Sequence, residues 1–348
     1  MNERQRFMTE NRQVVVAELP RGKLTHANFE LRTAPIPTPG DEEVLVRTIL
    51  MSIDAANRAW MQGATYREAV KAGDVMHTYS IGEVVESKDA SLAAGDLVAV
   101  EAGWAEYVVV KAKRAEKLPP VDQLSHLLSV LGIAGKTAYH GLLQVGQPKA
   151  GDTVVVSAAA GSVGIFVGQI AKAIGCRAVG IAGGAEKCAW VAEELGFDAC
   201  VDYRGGSLFK DLKRACPDGI DVYFDNVGGD VLETMLFQMN MKGRVVCCGA
   251  VSQYDSAAPS GPRNLPGMMV VKRLRMEGFI VFDFPEHAEK AAADLRQWLA
   301  EGKLKVFEDI VDGLENAPQA LIGLLAGDNR GKRMVRVAPD PAEGLRLG

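Results

Sequence analysis

The segment that most constrains the fold is an apolar run, Val154-Val155-Val156-Ser157, which leads straight into a small-residue turn ending at Gly164. A helical pattern comes next, which gives the strand–turn–helix context of the G-x-G-x-x-G dinucleotide-binding fingerprint. The fingerprint positions are Ala159, Gly161 and Gly164, so an alanine replaces the first glycine. Gly161 leaves bare backbone for a pyrophosphate, and Gly164 permits close helix–strand packing. The helix N-terminus after the turn favours bound phosphate. The alternative interpretation is a tight strand–helix turn without a ligand.

Strand-like and helical runs alternate on both sides of this turn. Near-continuous apolar strands between helices are typical of a parallel sheet that is covered on both faces. The sequence therefore predicts a doubly wound α/β domain of the Rossmann type over residues 121–304. The predicted strands are 153–157, 177–181, 199–202, 222–225 and 244–248, and the predicted helices are 163–174, 187–195, 208–214 and 231–239.

The N-terminal third has a different pattern, in which short alternating or β-branched runs are separated by turn residues and not by helices. This spacing predicts an antiparallel, barrel-like β domain. We assign it residues 1–120, completed by the tail 305–348, which contains a predicted helix at 317–325. The predicted strands are 14–17, 44–49, 82–86, 97–100 and 105–110.

Composition narrows the class of function. The formal net charge is −5 and basic residues are scattered, which argues against nucleic-acid partners. The first twelve residues lack the apolar core of a signal peptide, and no apolar run is long enough to span a bilayer, so we expect a cytoplasmic protein without membrane contact. The six cysteines are irregularly spaced among apolar neighbours, as expected for reduced thiols. No Cys or His cluster has the spacing of zinc ligands, so we expect no metal.

The second strand of the predicted sheet bears on which nucleotide binds. In NAD-specific sites an acidic residue at the tip of this strand accepts hydrogen bonds from the ribose hydroxyls. Here the strand ends in Gly183-Gly184, and Glu186 and Lys187 come only at the start of the following helix. The glycines leave space and Lys187 supplies a cation, which favours NADP. The alternative for Lys187 is a solvated lysine in a first helical turn.

Motifs spread over most of the chain carry a resemblance to a known family. They are Met51-Ser52-Ile53-Asp54, Trp60-Met61, Ile81-Gly82-Glu83-Val84, residues 157–164, Gly168-Gln169-Ile170-Ala171-Lys172, residues 183–188, Asp202-Tyr203, residues 222–229, residues 243–249, Gln253-Tyr254, Met276-Glu277-Gly278-Phe279 and residues 327–332. With these motifs the chain resembles the medium-chain dehydrogenase/reductase superfamily. Within it, the chain is similar to the zinc-free leukotriene hydroxydehydrogenase/prostaglandin reductase branch, which includes double-bond reductases and curcumin-reductase-like enzymes.

The resemblance implies a GroES-like β domain beside a Rossmann domain, with the active site in the cleft between them. It also implies a homodimer and NADPH-dependent reduction of a C=C bond conjugated to a carbonyl group. Lys187 and Tyr203 would hold the 2′-phosphate, Asn226 would lie beside the cofactor, and Asn329 would reach it from the returning tail. The full set of expected cofactor-binding residues is Ala160, Gly161, Ser162, Val163, Gly164, Gly183, Gly184, Lys187, Tyr203, Asn226, Cys248, Gly249, Ala250, Tyr254, Phe279 and Asn329.

Two tyrosines are the candidate catalytic residues. Tyr254 matches a family tyrosine proposed to bind the substrate carbonyl or to donate a proton, and Tyr66 is the second candidate. Each could instead be a packing residue. The chain departs from the family where Tyr66 is followed by Arg-Glu-Ala in place of a hydrophobic residue and two prolines, and where Val271 replaces a tyrosine of some members. In the family both positions border the substrate cleft, so these departures bear on which substrate binds and not on the cofactor. The alternative functions are an NADPH quinone oxidoreductase and a non-catalytic NADPH-binding protein.

Overall fold

The chain forms antiparallel and parallel β-sheets. The computed structural model describes residues 10–119, 121–256 and 260–340. The chain divides into two units. The first contains residues up to 128, 309–328 and those from 333 onward, and the second contains 129–308 and 329–332. The predicted boundaries after residues 120 and 304 therefore differ from this division by eight and four residues. Residues 1–9, 120, 257–259 and 341–348 of the predicted ranges lie outside the described residues.

The first unit begins with antiparallel strands, numbered here in chain order. β1 pairs with β2 in a two-stranded sheet, in which Val14 lies opposite Leu31. β3 pairs with β4 and β6, and β4 pairs with β5, all antiparallel. Asp54 occupies the N-cap position of a short helix, Ala55–Trp60, between β3 and β4. The strands are β1 Glu10–Val16, β2 Phe29–Pro35, β3 Glu43–Ser52, β4 His77–Ser87, β5 Leu97–Gly103, β6 Tyr107–Lys111 and β7 Glu116–Lys117.

The second unit contains a parallel sheet of six strands. Its order is β10-β9-β8-β11-β12-β13. In this doubly wound arrangement, strands are added first on one side of β8 and then on its other side. Its strands are β8 Thr153–Ser157, β9 Arg177–Ala182, β10 Ala199–Asp202, β11 Ile220–Asp225, β12 Met239–Cys247 and β13 Arg275–Gly278. Its α-helices are Ile133–His140, Gly164–Ala173, Ala185–Glu193, Leu208–Ala215, Gly229–Gln238, Val251–Tyr254, Leu265–Lys272 and Ala288–Ala300.

Burial explains why these parallel strands are apolar. Every residue of β8 is buried, because helices cover both faces of the sheet. On one face, Val154 and Val156 join the cluster that contains Phe166 and Ile170 of the helix Gly164–Ala173. On the other face, Val155 joins a cluster with Leu212 and Met235. The alternation of side chains along one strand thus supplies two separate cores.

The tail adds two strands to the sheet of the first unit, β14 Glu308–Asp312 and β15 Lys332–Arg336. The sheet order is β14-β15-β3-β4-β5-β7, with β6 paired to β3. The helix Ala317–Ala326 lies between the two strands and ends at Gly327, whose left-handed φ of 78° is typical of a helix C-cap. The predicted combination of an antiparallel β domain and a parallel Rossmann-type domain is confirmed. Across the described ranges, no helix has the length and hydrophobicity required of a membrane span.

Candidate functional site

The glycine-rich turn after β8 has the close packing that the fingerprint requires. A β-carbon on Gly164 would lie 2.2 Å from the carbonyl oxygen of Ala158 and 2.8 Å from the α-carbon of Ala159. A β-carbon on Gly161 would lie 3.2 Å from the same oxygen. Gly161 N–H donates to Ala158 O at 2.9 Å and closes the turn, and Ala158 itself has a positive φ of 51°. Ser162 and Val163 then lead into the helix Gly164–Ala173.

The returning tail is hydrogen-bonded to this turn. Gly331 N–H donates to Ala160 O at 2.8 Å, and Gly331 forms a parallel bridge with Gly161. The buried side chain of Asn329 donates from Nδ2 to Gly331 O at 2.8 Å, which fixes the tail backbone. The structure therefore brings Asn329 to the glycine-rich turn, and this contact explains why residues 329–332 belong to the second unit.

The turn after β9 is held by an acidic side chain from the neighbouring strand. Asp202 ends β10, and its Oδ1 accepts hydrogen bonds from Gly184 N–H at 2.8 Å and from Arg204 N–H at 2.9 Å. Gly184 has a φ of 97°, which few non-glycine residues adopt. A carboxylate therefore lies close to the Gly183-Gly184 turn, and two backbone amides donate to one of its oxygens.

Two charged residues begin the helix Ala185–Glu193. Glu186 forms an ion pair with Arg330, whose guanidinium carbon lies 5.9 Å from the centroid of the Trp190 ring. Lys187 is the third residue of the helix and is partly exposed. The negative charge of Glu186 in the first helical turn is therefore paired with the positive charge of Arg330 from the tail.

Tyr203 and Arg204 lie against the Gly183 backbone. A β-carbon on Gly183 would come within 2.9 Å of both Tyr203 Cε1 and Arg204 Nε. Tyr203 is 47% exposed, and its backbone N–H donates to Ala182 O at 3.1 Å. The structure thus brings Tyr203 to Gly183, on the two-residue turn that leads into the helix carrying Lys187.

A buried carboxylate organises the end of β11. Asp225 Oδ1 accepts hydrogen bonds from Tyr223 O–H at 2.7 Å and from the N–H groups of Val227 and Gly228 at 3.0 and 2.9 Å. Burial nevertheless raises the pKa of Asp225 above its ordinary value of 3.8. These bonds fix the loop after the strand.

The next residue, Asn226, is tied to the end of β8. Its Nδ2 donates to Ser157 O at 2.8 Å, and its backbone N–H donates to Ser157 Oγ at 2.9 Å. Asn226 therefore joins the carboxyl ends of β8 and β11, the edge at which ligands bind in such sheets.

The segment Cys248-Gly249-Ala250 lies at the same edge. The N–H groups of Cys248 and Gly249 both donate to Asp225 O, at 2.9 and 3.1 Å. The hydroxyl oxygen of Tyr254 accepts from Ala250 N–H at 3.3 Å, and it would lie 3.6 Å from a β-carbon on Gly249. Asn226, this segment and Tyr254 are therefore neighbours in the structure.

Burial changes the acidity of two side chains here. It raises the pKa of the Cys248 thiol to about 12, with a further contribution from Asp225, so this thiol is protonated at neutral pH. Burial also raises the pKa of Tyr254 above 10.0, although the hydrogen bond from Ala250 opposes the shift. Tyr254 thus keeps its hydroxyl proton through the neutral pH range and remains a hydrogen-bond donor.

The other predicted residues have different surroundings. Phe279 comes after β13 and packs edge-on to Phe224 with 6.3 Å between ring centroids, and a β-carbon on Gly141 would lie 2.4 Å from it. Its described contacts are those of a packing residue.

In the first unit, Tyr66 is 54% exposed and lies edge-on to Trp60. Arg67 lies over the same Trp60 ring at 4.4 Å and pairs with Glu101 at 2.6 Å. A paired cation therefore occupies the position next to Tyr66 at which the family often has a hydrophobic residue.

Three residues of this region received no role from the sequence alone. Asp202 orders the turn after β9, Arg204 covers Gly183, and Arg330 pairs with Glu186. A cation directly after Tyr203 was the available signal for Arg204. Nothing in the local pattern indicates which backbone amides Asp202 contacts. Among the described residues, no three His, Cys, Asp or Glu side chains are grouped so as to hold a metal ion.

Comparison with known protein families gives two consecutive matches. Residues 12–118 match the model described as the N-terminal domain of oxidoreductase, and residues 162–298 match the model described as zinc-binding dehydrogenase. The first match covers the strands from β2 to β7, and the second covers the strands of the parallel sheet from β9 to β13.

Individual relatives are similar over nearly the whole chain. The NADPH-dependent curcumin reductase of Escherichia coli is 44% identical, covering 95% of this chain and 98% of the relative. Prostaglandin reductase 1 of Bos taurus is 40% identical, covering 90% of this chain and 95% of the relative. The crystal structure of CurA from Vibrio vulnificus in complex with NADPH superimposes with a TM-score of 0.90 at 41% identity, covering 94% of this chain and all of that one. The chain belongs to the medium-chain dehydrogenase/reductase superfamily, in its zinc-free prostaglandin reductase and curcumin reductase branch.

Proposed function

We propose that this protein uses NADPH to reduce the C=C bond of an α,β-unsaturated aldehyde or ketone. The observation that carries the proposal is the grouping of Asn226, Gly249, Ala250 and Tyr254 at the carboxyl edge of the parallel sheet. This edge is where a doubly wound sheet binds its ligand. The two similar enzymes are named as reductases of curcumin and prostaglandin, which supports the same reaction class.

The fit of a dinucleotide is supported by the glycine-rich turn. Side chains at Gly161 and Gly164 would press against Ala158 O, and their absence leaves backbone at the start of the helix Gly164–Ala173. Such a turn suits a pyrophosphate, because its N–H groups and the positive helix end face the anion. Asn329 and Gly331 would keep this turn in place from the tail side.

The choice of NADPH over NADH is supported at the end of β9. Lys187 supplies a cation and Tyr203 supplies a hydroxyl group near the Gly183-Gly184 turn. The acids nearby are engaged, since Asp202 accepts from backbone amides and Glu186 pairs with Arg330. An engaged acid is less available to a ribose hydroxyl, whereas a cation favours a 2′-phosphate.

The chemistry divides between cofactor and protein. When bound, reduced nicotinamide supplies the hydride for the β-carbon of the substrate. The protein must hold the substrate in place and stabilise negative charge on its carbonyl oxygen. Tyr254 is our candidate for that donor. Its oxygen already accepts from Ala250 N–H, so the hydroxyl hydrogen is directed away from that amide.

The test is a screen of NADPH oxidation with alkenals, enones and simple quinones, repeated with NADH. We expect the highest kcat/KM for a conjugated aldehyde or ketone with NADPH, and mass spectrometry of the product should show saturation of the C=C bond with the carbonyl retained. Faster turnover of quinones would favour the quinone oxidoreductase alternative. Tight NADPH binding without oxidation of any compound would favour the non-catalytic alternative.

A further inference from the structure

A cation that the proposed NADPH site has not yet used lies at the Gly183 turn. Arg204 comes directly after Tyr203, just beyond the end of β10. Its backbone N–H donates to Asp202 Oδ1, the same oxygen that accepts from Gly184 N–H. One carboxylate oxygen therefore fixes the backbone of Arg204 relative to the turn after β9.

The side chain of Arg204 is positioned as well. Its Nε donates to the Tyr203 hydroxyl at 3.2 Å, and its guanidinium carbon lies 5.4 Å from the centroid of the Tyr203 ring. A guanidinium carries five N–H donors in one plane. The Nε bond uses one of them and orients the plane against the tyrosine.

Gly183 explains why these two side chains can lie so close to the turn. A β-carbon at this position would come within 2.9 Å of Arg204 Nε and 3.0 Å of its Cζ. Only glycine therefore leaves room for the guanidinium over the backbone that ends β9. The carboxyl end of this second strand is where a doubly wound domain recognises the 2′-position of the adenosine ribose.

We infer that Arg204 is a third ligand of the NADPH 2′-phosphate, beside Lys187 and Tyr203, and that it contributes to discrimination against NADH. This inference rests on the proposed use of NADPH. A planar guanidinium pairs with a phosphate through two parallel N–H···O bonds, which the lysine ammonium cannot do. Glu186, the exposed acid in the adjacent helical turn, is paired with Arg330 and so opposes the bound phosphate less.

The test compares two binding probes that differ only in the 2′-phosphate, adenosine 2′,5′-bisphosphate and 5′-AMP. For Arg204→Ala we expect Kd for the bisphosphate to rise about tenfold or more, as for loss of a charge-assisted hydrogen bond. Kd for 5′-AMP should stay unchanged. In turnover, KM for NADPH should rise by a similar factor, while kcat and KM for NADH stay as in the parent protein.

Two further variants serve as controls. Arg204→Lys keeps the charge but loses the planar fork, so we expect an intermediate Kd for the bisphosphate. Arg214→Ala removes an exposed arginine of the same unit that pairs with Asp211, and it should leave both probes unaffected. Thermal unfolding of each variant checks that the fold is retained.

The outcomes separate this inference from the proposed function. If Lys187→Ala weakens only the bisphosphate while Arg204→Ala changes neither probe, or both equally, the role of Arg204 is overturned and the NADPH site stands. If the parent protein binds the two probes equally well, the proposed preference for NADPH fails, and the role of Arg204 fails with it.

Discussion

The position of the Tyr254 side chain depends on hydrogen bonds at the carboxyl edge of the parallel sheet. The backbone carbonyl oxygen of Asp225 accepts hydrogen bonds from the N–H groups of Cys248 and Gly249. These bonds fix the segment whose next residue, Ala250, donates its N–H to the Tyr254 hydroxyl oxygen. The residue ends a helix of only one turn, Val251–Tyr254, and the hydrogen bond from Ala250 N–H to its hydroxyl oxygen holds the side chain against this segment. Its role as a donor is therefore testable with a change of one atom.

We expect Tyr254→Phe to lower the single-turnover rate constant for enone reduction by about 10²-fold, the lower end for loss of one donor to a developing oxyanion. The Kd for NADPH, measured by cofactor fluorescence, should stay within about twofold, because the variant keeps the ring. An unchanged rate constant would remove Tyr254 from catalysis.

The pH dependence gives a second readout for the same residue. Because burial raises the pKa of Tyr254 above 10.0, its O–H form persists to higher pH than that of an exposed tyrosine. We expect the rate constant for enone reduction to show no decrease from tyrosine ionisation below about pH 10. A decrease centred between about pH 8 and 9 that is absent from Tyr254→Phe would contradict this assignment.

At the scale of elements, the glycine-rich turn packs closely against the helix that follows it. We expect Gly164→Ala to destabilise the protein by about 1–3 kcal/mol, since the new methyl group would collide with Ala158 O at 2.2 Å. Chemical denaturation measures this change, and NADPH affinity should fall with it. Gly261→Ala is the control, because a β-carbon there meets nothing within 4 Å. Equal stability of the two variants would contradict the packing role of Gly164.

The sequence predicts these elements well where local pattern and tertiary environment agree. The strands 153–157 and 199–202 have the predicted bounds. For β8 the reason is that every residue is buried, so its centre is a continuous run of valine that the sequence pattern reveals. The structure differs at β2, a mostly exposed strand, and at the helix Leu265–Lys272, neither of which is among the predicted elements. Short exposed elements depend on contacts with distant residues, which local periodicity does not encode.

Some residues of the candidate site could likewise be predicted from the sequence and others could not. The fingerprint predicts the roles of Gly161 and Gly164, and the absence of an acidic residue at the end of the second strand predicts the role of Lys187. Asp202 and Arg204 could not be assigned from the sequence, since their partners are backbone amides and a glycine about 20 residues away along the chain.

At the scale of the whole molecule, the last strand of the parallel sheet, β13, has one edge that a second chain could pair with. Within the described residues, β13 pairs only with β12, so one edge is open. Val270 and Val271, just before it, are 74% and 63% exposed. An open strand edge beside exposed apolar residues is a template for pairing with a second chain. We propose a homodimer that forms through β13.

Light scattering after gel filtration tests this proposal. We expect about twice the chain mass of 37.3 kDa for the parent protein. Glu277→Pro should yield the monomer because proline removes a strand N–H group and restricts the backbone, whereas Glu277→Ala should stay dimeric. A parent protein that elutes as a monomer, or a proline variant that stays dimeric, would contradict pairing through this strand.

The hydrogen bond from Gly331 to Ala160 has a consequence for biosynthesis. The glycine-rich turn and the tail residue bonded to it are made at different times, because the ribosome adds residue 331 on the order of 10 s after residue 161 at about 5–20 residues per second. The parallel sheet can assemble earlier, but its binding turn lacks the clamp until the tail has emerged. A nascent chain that stops before Asn329 would therefore lack this hydrogen bond, and we expect it to hold a nucleotide less tightly than the chain that includes Gly331.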